Sequence, residues 1–325
     1  MNREVMENMN KHGKRWITLA ALATTTTAII HVVNKVVAAS ASLKEMLDTN
    51  GKNYYHWRFG DIYYTRKGNG SPVLLIHDML PGGSGYEWSR IEDDLALEHT
   101  VYSIDLPGCG RSEKPGMTYT NFVYVQSICE FIRNVIREKT DVIVSGYSGA
   151  FVIMACRNEE KLFDKIMLVN PVNPGVLKQM PGKKDKLLRR CLEIPVFGTL
   201  LYHITVSRSA VNDEFVENFA FDPFHPLRDF QDAYYEAAHK GGCYAKNVYA
   251  NKASKYMNID ITRALKEIDN SLYIVEGEAE NNGEATVAAY QNINPSVEAV
   301  TINETKHFPQ IEDPEGFLEQ VGIFF

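Results

Sequence analysis

Residues 141–154 read DVIVSGYSGAFVIM, and this stretch decides the fold. A short β-branched run, Val142-Ile143-Val144, leads into Gly146-Tyr147-Ser148-Gly149-Ala150 and then into an apolar helical pattern. That order predicts a strand, an abrupt turn and a helix, with Ser148 at the apex. The small residues Gly146, Gly149 and Ala150 allow strand and helix to approach closely around the serine. The pattern is G-x-S-x-G except at its last position, where Ala150 stands in for glycine. A serine held on such a turn is exposed. The Gly149 N–H behind it, at a helix N-terminus, is suited to a developing oxyanion.

Working outward, residues 53–58 and 62–66 predict two strands around Phe59-Gly60-Asp61, a hairpin signal. Residues 72–77 (PVLLIH) form an apolar run of the kind found in a strand buried on both faces. Further strands are expected at 101–105, 166–170, 271–275 and 297–302, with helices at 121–138 and 284–292 and from Pro314 onward. Alternating strands and helices imply an α/β fold, a mostly parallel doubly wound sheet with helices on both faces. From Pro171 to about Asp269 the alternation stops, and helical segments rich in aromatics (186–192, 213–219, 227–239) predict a helical cap insertion. The expected division is 1–42 N-terminal segment, 43–170 first core part, 171–269 cap and 270–325 second core part.

The N-terminal segment differs in character. Lys11, Lys14 and Arg15 precede residues 16–33 (WITLAALATTTTAIIHVV), a run with no formal charge and just long enough to cross a bilayer as a helix. The expectation is a single-pass membrane anchor with a cytoplasmic N-terminus and an extracytoplasmic body. Release after signal cleavage near Ala39-Ser40-Ala41 is the alternative, and a buried soluble helix is the third reading. Residues 38–52 read as a tether.

The net charge of −7, with no long basic run, argues against nucleic acid as a partner. The five cysteines are scattered and form no C-x-x-C pair, so neither a metal site nor a disulfide framework is expected. No dinucleotide fingerprint is present, and no cofactor is expected.

Over residues 53–325 the order of motifs resembles the α/β-hydrolase superfamily. Ile76-His77-Asp78 resembles the H-G oxyanion loop after the third strand, and residues 105–112 (DLPGCGRS) the D-x-P-G-x-G-x-S turn after the fourth. The Ser148 turn stands where the nucleophile elbow follows the fifth. Gly277-Glu278-Ala279-Glu280 stands where the family places its acid, and residues 306–315 (KHFPQIEDPE) resemble the segment carrying the histidine. The resemblance implies Ser148 as nucleophile, His307 as its base and Glu280 as the acid that orients the base, with Glu278 the alternative acid. It implies an oxyanion hole from the backbone N–H groups of Met79 and Gly149. Tyr147 and Asp78 lie beside the site. Asp78 departs from the family's glycine, and its carboxylate is expected to turn away and bond the loop.

Two functions follow. The first is a serine hydrolase of ester-type or lipid-like small molecules, an esterase, lipase-like enzyme or thioesterase. The second is a catalytically weak or inactive hydrolase fold serving as a binding or signalling module.

Overall fold

The computed structural model describes residues 3–47, 53–225 and 227–325. Eight strands form one sheet: β1 (Asn53–Trp57), β2 (Gly60–Lys67), β3 (Ser71–Ile76), β4 (His99–Ile104), β5 (Thr140–Ser145), β6 (Phe163–Val169), β7 (Leu272–Gly277) and β8 (Glu298–Ile302). Their spatial order is β1-β2-β4-β3-β5-β6-β7-β8. β1 and β2 form the expected hairpin, pairing His56 with Asp61 and Trp57 with Gly60, and β2 runs antiparallel to β4. All remaining pairs are parallel.

The central strands carry continuous apolar stretches because both faces are covered. Leu74, Ile76, Val142, Val144, Ile166 and Leu168 pack on one side with Tyr124, Ile128 and Phe151. Val73, Leu75, Ile143, Met167 and Val169 pack on the other with Trp88 and Phe317. Successive residues alternate between two cores, as a pleated strand requires. The loops leaving the C-terminal ends of β3, β5, β7 and β8 converge, which is where open α/β sheets place their ligands.

Between β6 and β7 the described chain contains no strand. It forms the helices Lys183–Glu193, Phe197–Thr205, Arg208–Glu214, Arg228–His239, Lys246–Ala253 and Thr262–Glu267. Phe215, Phe219, Phe230 and Tyr234 from this insertion pack against Phe308 beside the predicted histidine. The aromatics noted in the sequence thus seat the insertion over the convergent loops.

The N-terminal helix α1 runs Arg3–Ala41, well beyond the apolar stretch at either end. Its segment Arg15–Lys44 is long and apolar enough to cross a membrane by length and composition. Thr24, Thr25 and Thr27 each donate their hydroxyl to a backbone carbonyl one turn earlier, so these three hydroxyls are satisfied along the helix itself. The expected tether is in part a packed element. Ala41 and Leu47 are buried, Asn34 Nδ2 donates to the Val196 carbonyl at 3.0 Å, and the Met46 N–H donates to Glu236 at 2.7 Å. Residues 48–52 of that stretch lie outside the described residues.

Candidate active site

The loop after β3 begins with His77, whose tautomer is set by its surroundings. Nδ1–H donates to the Asp78 carbonyl at 2.7 Å, and Nε2 accepts the Leu106 N–H at 3.0 Å. This anchors the loop so that Asp78 faces the turn after β5. The Asp78 carboxylate points inward, contrary to the expectation that it turns away. Its Oδ1 accepts the Met79 N–H at 2.6 Å and the Tyr147 N–H at 2.7 Å, and its Oδ2 lies 3.2 Å from His307 Nε2.

Room for that carboxylate comes from Gly146. Gly146 is the residue of the turn with left-handed backbone, φ +55°, and a Cβ on it would lie 2.2 Å from Asp78 Cγ. Glycine is therefore required here twice, by the backbone conformation and by the neighbouring carboxylate. The two features are complementary: the apex lacks a side chain, and Asp78 fills the space a side chain would take.

On the far side of the imidazole, His307 Nδ1 lies 3.1 Å from Glu280 Oε2. Asn170 Nδ2 donates to the Lys306 and His307 carbonyls at 2.7 and 3.0 Å and its Oδ1 accepts the Gly277 N–H, tying the histidine loop to the end of β7. From the insertion, the Phe219 ring stacks on His307 with centroids 5.0 Å apart.

Burial opposes the charge on His307, but hydrogen bonds and charges from Asp78 and Glu280 outweigh it and push the imidazole up to about 10. Burial would raise Asp78, yet Lys252, His307 and the Tyr147 amide pull its carboxyl down to about 2. Near neutral pH the centre therefore rests as carboxylate and imidazolium. Glu87, which accepts the Asp78 N–H at 3.0 Å, is pushed up to about 8 by burial and by the charge of Asp78.

The fold and this convergence of loops agree with a match to the alpha/beta hydrolase family model over residues 73–320. The chain belongs to the alpha/beta hydrolase family. It is 26% identical to a soluble epoxide hydrolase of Corynebacterium sp. (strain C12) over 117 residues, 36% of this chain and 40% of that protein. It is 20% identical to a proline iminopeptidase of Heyndrickxia coagulans over 272 residues, 80% of this chain and 92% of the relative. A solved 2-hydroxy-6-oxo-6-phenylhexa-2,4-dienoate hydrolase of Rhodococcus sp. strain RHA1 superposes with a TM-score of 0.66 at 18% identity, covering 84% of this chain and 98% of that one. Hydrolysis is the activity these relatives share, and their bonds differ.

Within this alpha/beta hydrolase frame the predicted residues fall into two groups. His307, Glu280, Asp78 and Met79 meet at one point. Ser148 does not join them: it is fully buried, its backbone is helical at φ −64°, and its Oγ donates to the His77 carbonyl at 2.7 Å. The Gly149 N–H bonds the Gly146 and Tyr147 carbonyls within the turn, so the amide that joins that of Met79 on Asp78 Oδ1 is that of Tyr147. Glu278 accepts the Glu304 N–H at 2.9 Å, away from the histidine. Lys252 and Glu87 were not expected at the site, and Gly146, expected only as a small residue of the turn, is the one that makes room for Asp78. Among the described residues no cluster of histidine, cysteine, aspartate or glutamate could hold a metal ion.

These charges make stability depend on pH. The raised His307 stabilises the fold fully below its unfolded value near 6.5, and that contribution fades as pH rises towards about 10. The depressed Asp78 contributes above its unfolded value and fades as pH falls towards about 2. Glu87, raised by burial, contributes below its unfolded value and fades towards about 8. Melting temperature is therefore expected to fall between about pH 6.5 and 10, by on the order of a few kcal/mol of stability. The fall should be smaller in Asp78→Asn. A wild-type curve flat across that window would contradict the charge assignment.

Proposed function

We propose that this chain hydrolyses a small electrophile through a carboxylate nucleophile, Asp78, with His307 as the proton-transferring group and Glu280 as its positioning partner. The reading is carried by one observation: Asp78 Oδ1 is held by two backbone amides while Oδ2 faces His307 Nε2. An ester formed on Oδ2 would leave Oδ1 as its carbonyl oxygen, already in the hole that stabilises a tetrahedral oxyanion.

The resting charges suit an epoxide-type substrate. Oδ2 attacks a ring carbon, the carbon–oxygen bond breaks, and the His307 imidazolium protonates the released oxygen. The esterified Asp78 no longer carries charge, so the imidazole becomes a base. It takes a proton from water, whose oxygen adds to Asp78 Cγ, and collapse returns the carboxylate, the imidazolium and a diol. The soluble epoxide hydrolase relative lends this substrate class support over the segment it shares.

The second reading is the one the sequence motifs favour, a Ser148–His307–Glu280 hydrolase of ester-type or lipid-like substrates. It requires Asp78 to withdraw and the Ser148 hydroxyl to leave the His77 carbonyl. The position of Ser148, at the head of the helix Gly149–Asn158 in the turn after β5, favours it. On either reading α1 is a membrane anchor with the body on the extracytoplasmic side; the alternative is release of the body there by cleavage. The exposed apolar side chains of Trp16, Ile17, Leu22, Ile29 and Val32 support the anchor.

A single turnover of styrene oxide in water enriched in heavy oxygen, followed by peptide mass measurement, separates the readings. Heavy oxygen in the peptide holding Asp78 is the expected result. A fluorophosphonate adduct on Ser148, with no label at Asp78, would replace this mechanism with the serine one. Neither signal on folded protein would leave a binding or signalling module.

A further inference from the structure

A cavity of about 480 Å³ lies between α1 and the helical insertion, lined by His31, Asn34, Lys35 and Ala38 on one side and by Pro195, Val196, Thr199, His203 and Tyr244 among others on the opposite side. None of the residues that meet at Asp78 and His307 lines it. Its size falls within the roughly 300–1,000 Å³ typical of small-molecule sites.

Its walls hold an unusual concentration of polar atoms without partners. Asn34 Oδ1, Thr199 Oγ1 and both ring nitrogens of His203 are buried and make no hydrogen bond. Asn34, Thr199 and His203 are each at least nine-tenths buried. Buried polar groups are ordinarily paired, and leaving them bare costs on the order of 1–3 kcal/mol each. Here they come from two elements, α1 and the helix Phe197–Thr205, brought together by one docking contact, the Asn34 amide on the Val196 carbonyl. Pro195, Val196, Ala38 and the Tyr244 ring complete the wall with apolar surface.

The chemistry of the orphaned atoms defines the occupant. They are an amide carbonyl, a hydroxyl and an imidazole held neutral by burial and by His239. Each matches a hydroxyl; the charged side chains of the wall, Lys35, Lys246 and Glu193, are of both signs and none is among the orphaned atoms, so the unpaired groups call for a neutral polar head. Lys246, also in the wall, spends a proton on the Ile194 carbonyl at 2.8 Å. The α1 wall of the cavity runs from His31, at the end of the apolar stretch 16–33, to Ala38, so on the anchor reading it lies at the edge of the bilayer.

We propose that the cavity between α1 and the insertion binds a neutral, hydroxyl-bearing single-chain amphiphile drawn from the membrane. Its head contacts Asn34, Thr199 and His203, and its chain leaves along α1. This rests on the anchor reading and not on the hydrolytic one.

The full chain in detergent micelles, titrated with 1-monooleoylglycerol, tests it by native mass measurement. Saturable one-to-one binding is expected, weakened about tenfold or more by Thr199→Val and by His203→Phe, and unchanged in Asp78→Asn. Survival of binding in Asp78→Asn would separate this site from the catalytic one whatever the fate of the mechanism. Equal binding of oleate would overturn the neutral-head assignment. No binding by folded protein, or binding indifferent to both wall variants, would mean the cavity holds only water.

Discussion

Asp78→Asn should abolish turnover, with a loss on the order of 10⁴-fold or more, while Ser148→Ala should stay within about tenfold of wild type. The asparagine keeps the shape of Asp78 and its carbonyl oxygen can still accept the Met79 and Tyr147 amides. It cannot supply the anion that attacks carbon, nor the charge that holds His307 protonated. Ser148 contributes a hydroxyl that fastens the turn to the His77 carbonyl. Its removal loosens a buried contact, at a cost near 1 kcal/mol, without touching the reacting atoms. The measurement is steady-state turnover of styrene oxide by both variants, alongside thermal unfolding to show that each is folded. A reversed ranking, with Ser148→Ala inactive and Asp78→Asn active, would sink the carboxylate mechanism.

The contrast between these residues reflects what a one-dimensional pattern can carry. The sheet was legible because its strands bury both faces, leaving continuous apolar runs such as that around Val73 and Leu75. His307 and Glu280 were legible because each follows directly on a strand, in an order this fold imposes. The apex of the turn was not. G-x-S-x-G fits at Gly146 only by accepting Ala150, and the pattern does not say where β5 stops. It continues through Ser145, which puts the left-handed residue at Gly146, two positions before Ser148. The direction of the Asp78 side chain was hidden for a related reason. It depends on a missing Cβ far along the chain and on an imidazole later still, a non-local arrangement with no local signature. For α1, hydrophobic length was readable, whereas the contacts of Asn34, Ala41 and Leu47 with the rest of the chain were not.

If Gly146 and Asp78 are a complementary pair, exchanging them together should change the chemistry where changing one alone only destroys it. Gly146→Ser alone places a Cβ within 2.2 Å of Asp78 Cγ, on a backbone with φ +55°. The carboxylate must then leave the hole or the turn must shift, and epoxide turnover should fall by about 10³-fold or more. Asp78→Gly alone empties the hole but supplies no nucleophile, so it should be equally inactive. The double variant Gly146→Ser/Asp78→Gly presents a hydroxyl at the apex, with the Tyr147 and Met79 amides freed for an oxyanion. His307 also loses one of its two carboxylates, which lowers its affinity for the proton towards the range of a general base. It should therefore gain what the wild type lacks: stoichiometric labelling by a fluorophosphonate at residue 146 and slow hydrolysis of a short-chain ester. The strained apex already has the conformation such turns impose on their nucleophile, so the backbone needs no rebuilding. A folded double variant inert to the probe would show that the hole and His307 are not aligned for acyl transfer. The resting contacts of Asp78 would then be a structural ion pair rather than a catalytic one.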